Sequence, residues 1–343
     1  MRRPYLVSMI AAGSVALASL AVVSLTGQTP ASASKKTATA VPRMPWGDPD
    51  LQGTWFVLYD VPLERSAANA NKAFLTDEEV AAANAAKGIN PGRNMRQSGA
   101  QDVSGAYNAV FNSVLRTGKR TSMVIDPPDG KIPALTPEAQ KRLGPGGGRG
   151  GALGLGVGGT INDNPETVAQ SPRCLGVPMP FLPLNTLFAQ GTVMQIVQSP
   201  KSMGIYMEDD HAGGGNRVIY MDGRPHAPAE MKFYLGDSRG HWEGNSLVVE
   251  TTNFSQPFRG SDIETYKMTE RITRVDATNL RREITFSDPH TWTKPWTVLI
   301  EMGKSADDSK HMIFDSACHE GNYGMTGILV GTRREEAAAE KKK

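Results

Sequence analysis

The stretch Gly204–Phe254, GIYMEDDHAGGGNRVIYMDGRPHAPAEMKFYLGDSRGHWEGNSLVVETTNF, sets short runs of β-forming residues between turns rich in glycine, proline and asparagine. Gly204–Met207, Arg217–Met221, Met231–Leu235 and Ser246–Thr252 read as strands, because each run is the length of a strand and is bounded by turn formers. The same stretch carries three of the six histidines, one of them directly after the acidic run Glu208-Asp209-Asp210.

On either side the pattern continues. Val193–Gln198 precedes this stretch as another strand, and Met268–Asp288 follows as a hairpin. In the hairpin ERITRV and LRREITF alternate polar and apolar residues around Asp276-Ala277-Thr278-Asn279. Trp292–Met302 reads as a further strand, with Pro295 inside it suggesting an edge or a bulge. Many short strands with close turns predict a mainly β fold, an antiparallel meander closed into a barrel or sandwich over residues 171–332. The absence of β–α–β alternation excludes a parallel nucleotide-binding sheet.

Upstream, residues 34–62 form a leader and a first strand, Gly53–Tyr59. The Gly-x-Trp at its start resembles the opening of lipocalin-type barrels. Residues 63–170 read as a helical and loop insert. Thr76-Asp77-Glu78-Glu79 is a capping box for a helix that Gly88 closes. Thr136-Pro137-Glu138 opens a second helix, with Gly144 past its end. Arg120–Gly130 reads as a strand running into a tight turn, and Gly144–Gly159 is glycine-rich and aperiodic. Residues 333–343 read as a charged, solvated tail.

The first 33 residues look like an export signal: Arg2 and Arg3, an apolar run from Leu6 to Leu25, then the small-x-small site Ala31-Ser32-Ala33. Its Ala, Ser and Gly content makes it a poor membrane span, so cleavage after Ala33 and a periplasmic or secreted protein with no stable membrane anchor are expected. Sec export is the default, although Arg-Arg-Pro-Tyr-Leu loosely resembles a twin-arginine signal. These residues hold two arginines and no acid, so the chain's 37 basic residues fall to 35 against 35 acidic ones. A neutral chain lacks the electrostatic footprint of nucleic-acid binding. In an oxidising compartment the two cysteines, Cys174 and Cys318, are expected to pair, closing a loop that contributes about 4–5 kcal/mol in the chain-entropy model.

Two pattern matches carry little. Gly154–Gly159 satisfies G-x-G-x-x-G but follows glycine-rich coil rather than a strand. Gly236-Asp237-Ser238-Arg239-Gly240 satisfies G-x-S-x-G but lacks the following helix of a nucleophile elbow, so it reads as a hairpin connection.

The histidine-bearing turns point to general acid–base chemistry. His211, beside Asp209 and Asp210, has the surroundings of a base, because a neighbouring carboxylate fixes the imidazole tautomer. Arg224 and His226 share one proline-rich turn and could hold an anionic or developing oxyanion group. His319 and Glu320, next to Cys318, would form a second acid–base pair. Trp242, Trp292, Trp296 and Tyr323 could line an apolar cavity. No H-x-H, H-E-x-x-H or C-x-x-C spacing occurs, so no cofactor is expected; histidines from separate loops leave a zinc site as the alternative.

Taken together, PWGDPDLQGTW, RTSMVIDPPDGKIPALTPEAQ, DGRPH, LGDSRGHWEGNSLVVETTNF, ERITRVD, DPHTWTKPWT and ACHEGNYG resemble a family of exported proteins widespread in soil bacteria. The resemblance spans most of the chain after residue 33 and implies export and a shared β fold, not a reaction. The leading expectation is an exported, cofactor-independent enzyme (lyase, isomerase or hydrolase) acting on a small, partly apolar organic molecule, aromatic compounds among the candidates. The alternatives are a lipocalin-like small-ligand carrier without turnover and a cell-envelope interaction protein. Polar groups gathered at a barrel rim favour the enzyme; a cavity lined only by aromatic and aliphatic side chains, with the histidines pointing outward, favours the carrier. The lack of an enclosed cavity favours the cell-envelope protein.

Overall fold

A computed structural model describes residues 41–88, 115–144, 164–166, 168, 171–175, 179–180, 182–183, 193–207, 214–256, 258–304, 313 and 317–341. The strands in chain order are β1 (Gly53–Val57), β2 (Tyr59–Asp60), β3 (Arg116–Thr117), β4 (Val124–Asp126), β5 (Val193–Gln198) and β6 (Ser202–Met207). They continue as β7 (Gly215–Tyr220), β8 (Asp237–Glu243), β9 (Ser246–Thr252), β10 (Lys267–Arg274), β11 (Asn279–Ser287) and β12 (Trp296–Gly303). Helices α1 (Asp77–Gly88) and α2 (Pro137–Leu143) lie in the insert, and α3 (Gly324–Glu340) follows the last strand. The export signal, the rest of the glycine-rich run after Gly144, and Asp209, Asp210 and His211 lie outside the described residues.

Strands β1 and β5–β12 pair in sequence, and β1 also pairs with β12, which closes a nine-stranded barrel. The mainly β, barrel-like expectation holds. Period-two alternation fills the interior: Met268 and Ile272 of β10, Leu280, Ile284 and Phe286 of β11, and Trp296, Val298, Ile300 and Met302 of β12 are all buried. At one end Trp55 is wholly buried under the Arg274 guanidinium, whose carbon lies 5.4 Å from the ring centroid. Its indole N–H donates to the Leu51 carbonyl at 2.9 Å. At the other end Phe254, Phe258, Tyr266, Phe286, Trp292 and Trp296 pack ring against ring, with centroids 4.2–6.4 Å apart.

The local signals hold in the insert. The Glu79 N–H donates to Thr76 Oγ1 at 3.2 Å while the Thr76 N–H donates to Glu79 Oε2 at 2.8 Å, a reciprocal capping box on α1. Thr136 Oγ1 accepts the Ala139 N–H at the head of α2, and Gly144 turns the chain away at φ +69°. Strand β4 pairs with the first residues of β12, and β1 with its last two, so the insert covers a barrel edge that β1 is too short to reach. Cys174 and Cys318 are disulfide-bonded, with Cα atoms 5.6 Å apart.

The first strand, expected over Gly53–Tyr59, ends at Val57, and Tyr59–Asp60 pair with β3 in a separate sheet. Four further expectations differ from the structure. Met231–Leu235 is not a strand: Phe233 makes one isolated bridge to Phe254, because Pro225, Pro228 and Gly236 punctuate a long crossover. The next strand is instead Asp237–Glu243, so all of the G-x-S-x-G match but Gly236 lies in β8 rather than in a hairpin loop, and the turn falls at Gly244-Asn245. Trp292–Met302 shortens to β12 because the strand begins after Pro295, which cannot donate to the ladder. Residues 324–340, partly read as tail, form α3, consistent with the helix formers Arg333-Arg334-Glu335-Glu336-Ala337-Ala338-Ala339.

Candidate functional site

An odd number of strands cannot alternate in direction all the way round a closed barrel, so one neighbouring pair must run parallel. Here it is β7 and β8, joined by the crossover from Met221 to Gly236. That pairing is short: only Ile219 faces Ser238 and Tyr220 faces Arg239, whereas β7 pairs along all six residues with β6. Gly215–Val218 thus have no strand partner on the β8 side. The gap is a cleft of about 440 Å³, lined among others by Leu175, Asn216, Arg217, Val218, Phe233 and Leu235.

Behind the cleft the apolar alternation is broken by charge. Arg217, Glu270 and Arg282 occupy inward positions of β7, β10 and β11, with side chains 4%, 0% and 1% exposed. Arg217 Nη2 donates to Glu270 Oε2, and Arg282 Nε donates to Glu270 Oε1 at 2.9 Å. Arg282 also donates to the Pro180 carbonyl at 2.9 Å. Arg217 Nη1 makes long contacts, 3.4 Å each, to the hydroxyls of Ser238 and Thr251, which bond each other at 3.0 Å. Burial alone would raise the Glu270 carboxyl, but the two guanidiniums outweigh it and hold the group below the ordinary carboxylate value. Burial, joined by the charges of Glu270 and Asp288, pushes the Tyr266 hydroxyl well above its usual range. Among the described residues Arg217 Nε finds no hydrogen-bond partner.

The second cluster lies on the outer face. His226 Nδ1 sits 2.8 Å from Asp237 Oδ2, and its Nε2 is 3.5 Å from Glu250. Asp237 also accepts the Ala227 N–H at 2.9 Å and Arg239 Nη1 at 2.6 Å. Burial works to raise its carboxyl, but the Ala227 N–H, His226 and Arg239 together hold it below the ordinary value. Lys267 pairs with Glu250 on the far side. Arg224, in the same turn as His226, spends its guanidinium on Asp222 and stacks 4.2 Å over the Tyr220 ring.

The expected site residues that are described are therefore dispersed. Ser238 faces inward on β8, so Asp237 and His241 face outward. His226, His241 and His290 each lie beside a carboxylate outside the lumen (Asp237, Glu243 and Asp262), and His319 and Glu320 are exposed in the turn after Cys318. No described hydrogen bond or ion pair joins His319 or Glu320 to His226. Trp292 and Trp296 are buried core, Trp242 packs partly buried against it, and Tyr323 is 81% exposed, too open to line a cavity. Among the described residues no group of three His, Cys, Asp or Glu side chains could hold a metal ion.

The sequence reading missed Arg217, Glu270 and Arg282, although the signal was there. Glu270 falls in phase with Met268 and Ile272, and Arg282 with Leu280, Ile284 and Phe286: charges on the apolar beat of an alternating strand.

The fold and site define a small closed β-barrel with a charged interior and a cleft in its wall. No protein-family model matches the chain, and no curated protein matches it. Among solved structures, a crystal structure of a point mutant of the fluorescent protein UnaG aligns over 34% of this chain and 72% of its own, at 11% identity and a TM-score of 0.22.

Proposed function

We propose that this chain is an exported β-barrel protein that binds a small, partly apolar organic molecule at the parallel seam of its barrel. The observation that carries the reading is the 440 Å³ cleft between β7 and the crossover, within the usual size range of small-molecule sites, whose lining mixes the apolar side chains of Leu175, Val218, Phe233 and Leu235 with Asn216, Arg217 and main-chain polar groups. The outward positions of the described His226, His241 and His290 favour binding over turnover. Purified protein lacking residues 1–33 would be screened by thermal shift against naphthalene, indole and benzene derivatives, charged and neutral. A binder at a hundred times its Kd stabilises by about 2.7 kcal/mol, a readily measured rise in Tm. Flat melting curves across the panel would overturn the reading.

Export is supported by the Cys174–Cys318 bond, which suits an oxidising compartment. N-terminal sequencing of the protein from a periplasmic fraction should begin at Ser34; an intact Met1 would refute cleavage.

A second reading is catalytic, and the His226–Asp237 pair favours it: an ionised, anchored carboxylate orients an imidazole as in general acid–base sites. The expected His211, with Asp209 and Asp210, would belong to the same machinery. Compounds that shift the melt should then be consumed by the wild-type protein and not by His226→Ala or His211→Ala. Unchanged compound after prolonged incubation would leave binding alone.

A further inference from the structure

We propose that the seam cleft is a monocarboxylate site in which Arg217 receives the acid group and the apolar wall holds the body of the ligand; this rests on the binding reading above. Arg217 lines the cleft while its head reaches the interior. Two of its three nitrogens are committed, Nη2 to Glu270 and Nη1 to the Ser238 and Thr251 hydroxyls. Its Nε–H is shut off from solvent and has no described partner. An unmet buried donor on a charged group is expensive, and a ligand oxygen reaching it from the cleft would remove that cost.

The chemistry narrows the ligand. Nε bears a single N–H, which suits one acceptor oxygen, and Glu270, ionised on the other side of the same guanidinium, would repel a dianion. Val218, Phe233, Leu235 and Leu175 give the cleft apolar and aromatic contact area, of which Val218, Phe233 and Leu175 are part exposed and await cover. A cleft of this size takes a bicyclic aromatic acid. The main-chain groups of Gly215–Val218 on the β8 side, outside the two-residue ladder with β8, lie beside it.

The test compares 2-naphthoate with its neutral analogue 2-naphthamide by calorimetric titration of the whole chain lacking residues 1–33. The expected result is at least tenfold tighter binding of the acid. Arg217→Gln should weaken the acid far more than the amide and abolish the preference between them. Circular dichroism and melting establish whether that variant folds. Where it does not, Val218→Glu decides, since Val218 lies on the outer face, half exposed, and a carboxylate there repels the acid alone. Equal affinity for both probes in the wild type overturns the assignment but leaves the binding reading standing. So does a tenfold preference that survives in the deciding variant. Binding of neither probe overturns the carboxylate site, and a blank on the wider neutral and charged panel overturns the binding reading as well.

Discussion

Replacing Glu270 with leucine should damage this barrel far more than its single carboxylate suggests. Glu270 is wholly buried and is the counter-charge of two buried arginines: Oε1 lies 2.7 Å from Arg282 Nη2, and Oε2 pairs with Arg217. Glu270→Leu leaves both guanidiniums in the core without that carboxylate, and breaking a buried pair in this way costs about 3–5 kcal/mol. At roughly 2–4 °C per kcal/mol for a domain of this size, Tm should fall by about 6–20 °C. The triple variant Arg217→Met, Glu270→Leu, Arg282→Met removes the charges together. Replacing a whole buried cluster is commonly neutral or stabilising by about 1–4 kcal/mol. Set against it is the Pro180 carbonyl, which loses its Arg282 donor at about 1–3 kcal/mol, whereas Ser238 and Thr251 still bond each other. The triple variant should therefore lie within about 2 kcal/mol of wild type, recovering most of what the single change loses. Urea titration followed by tryptophan fluorescence measures both, since Trp55 and Trp296 are wholly buried. A loss below about 1 kcal/mol for Glu270→Leu, or a triple variant as unstable as the single, would mean that the arginines do not depend on this carboxylate.

Acid should unfold the protein through the same groups: the folded-state pKa values of Glu270 and Asp237 lie below their ordinary 4.5 and 3.8, so the unfolded chain binds more protons there. Stability from them is fully present above about pH 4.5 and falls as pH drops through the folded values; a Tm that rises on acidification below about pH 4 would contradict this. Gly236→Ala should destabilise by about 2–4 kcal/mol, because φ is +73° and the new Cβ would meet Thr251 Cγ2 at 2.6 Å and Phe254 Cε1 at 2.7 Å. Gly244→Ala, at φ +61° in open space, should lose only the backbone part, about 1–2 kcal/mol; equal losses in urea titration would show that packing at Gly236 is not the cause. Cys318→Ser opens a loop with a sequence separation of 144 and should lower stability by up to about 4–5 kcal/mol in the chain-entropy model, read as a lower Tm that reductant no longer changes.

The barrel was legible in the sequence because strands announce themselves locally. Val193–Gln198 and Ser246–Thr252 keep the bounds that the β-forming runs and their flanking turns set, and the hairpin closes around Asp276, whose Oδ1 accepts the N–H groups of Thr278 and Asn279 at 2.8 Å each. Helix caps were equally local. What depends on closure was not legible. A parallel pair, here β7 with β8, follows from counting nine strands around a ring, a number that no single segment encodes. Asp237-Ser238-Arg239 reads as turn chemistry in isolation, yet closure makes it a strand with Ser238 inward and Asp237 outward under His226. The described histidines, conspicuous in the sequence, lie outside the lumen, while the interior charges sat in strands already recognised, on the apolar beat.

Entry of a small acidic molecule at the parallel seam is what a crystal structure of the protein lacking residues 1–33, grown with 2-naphthoate, would decide. The carboxylate should lie within hydrogen-bond distance of Arg217 Nε, with the rings between Val218 and Leu235. Naphthoate bound on the outer face at His226, with the seam cleft empty, would contradict it.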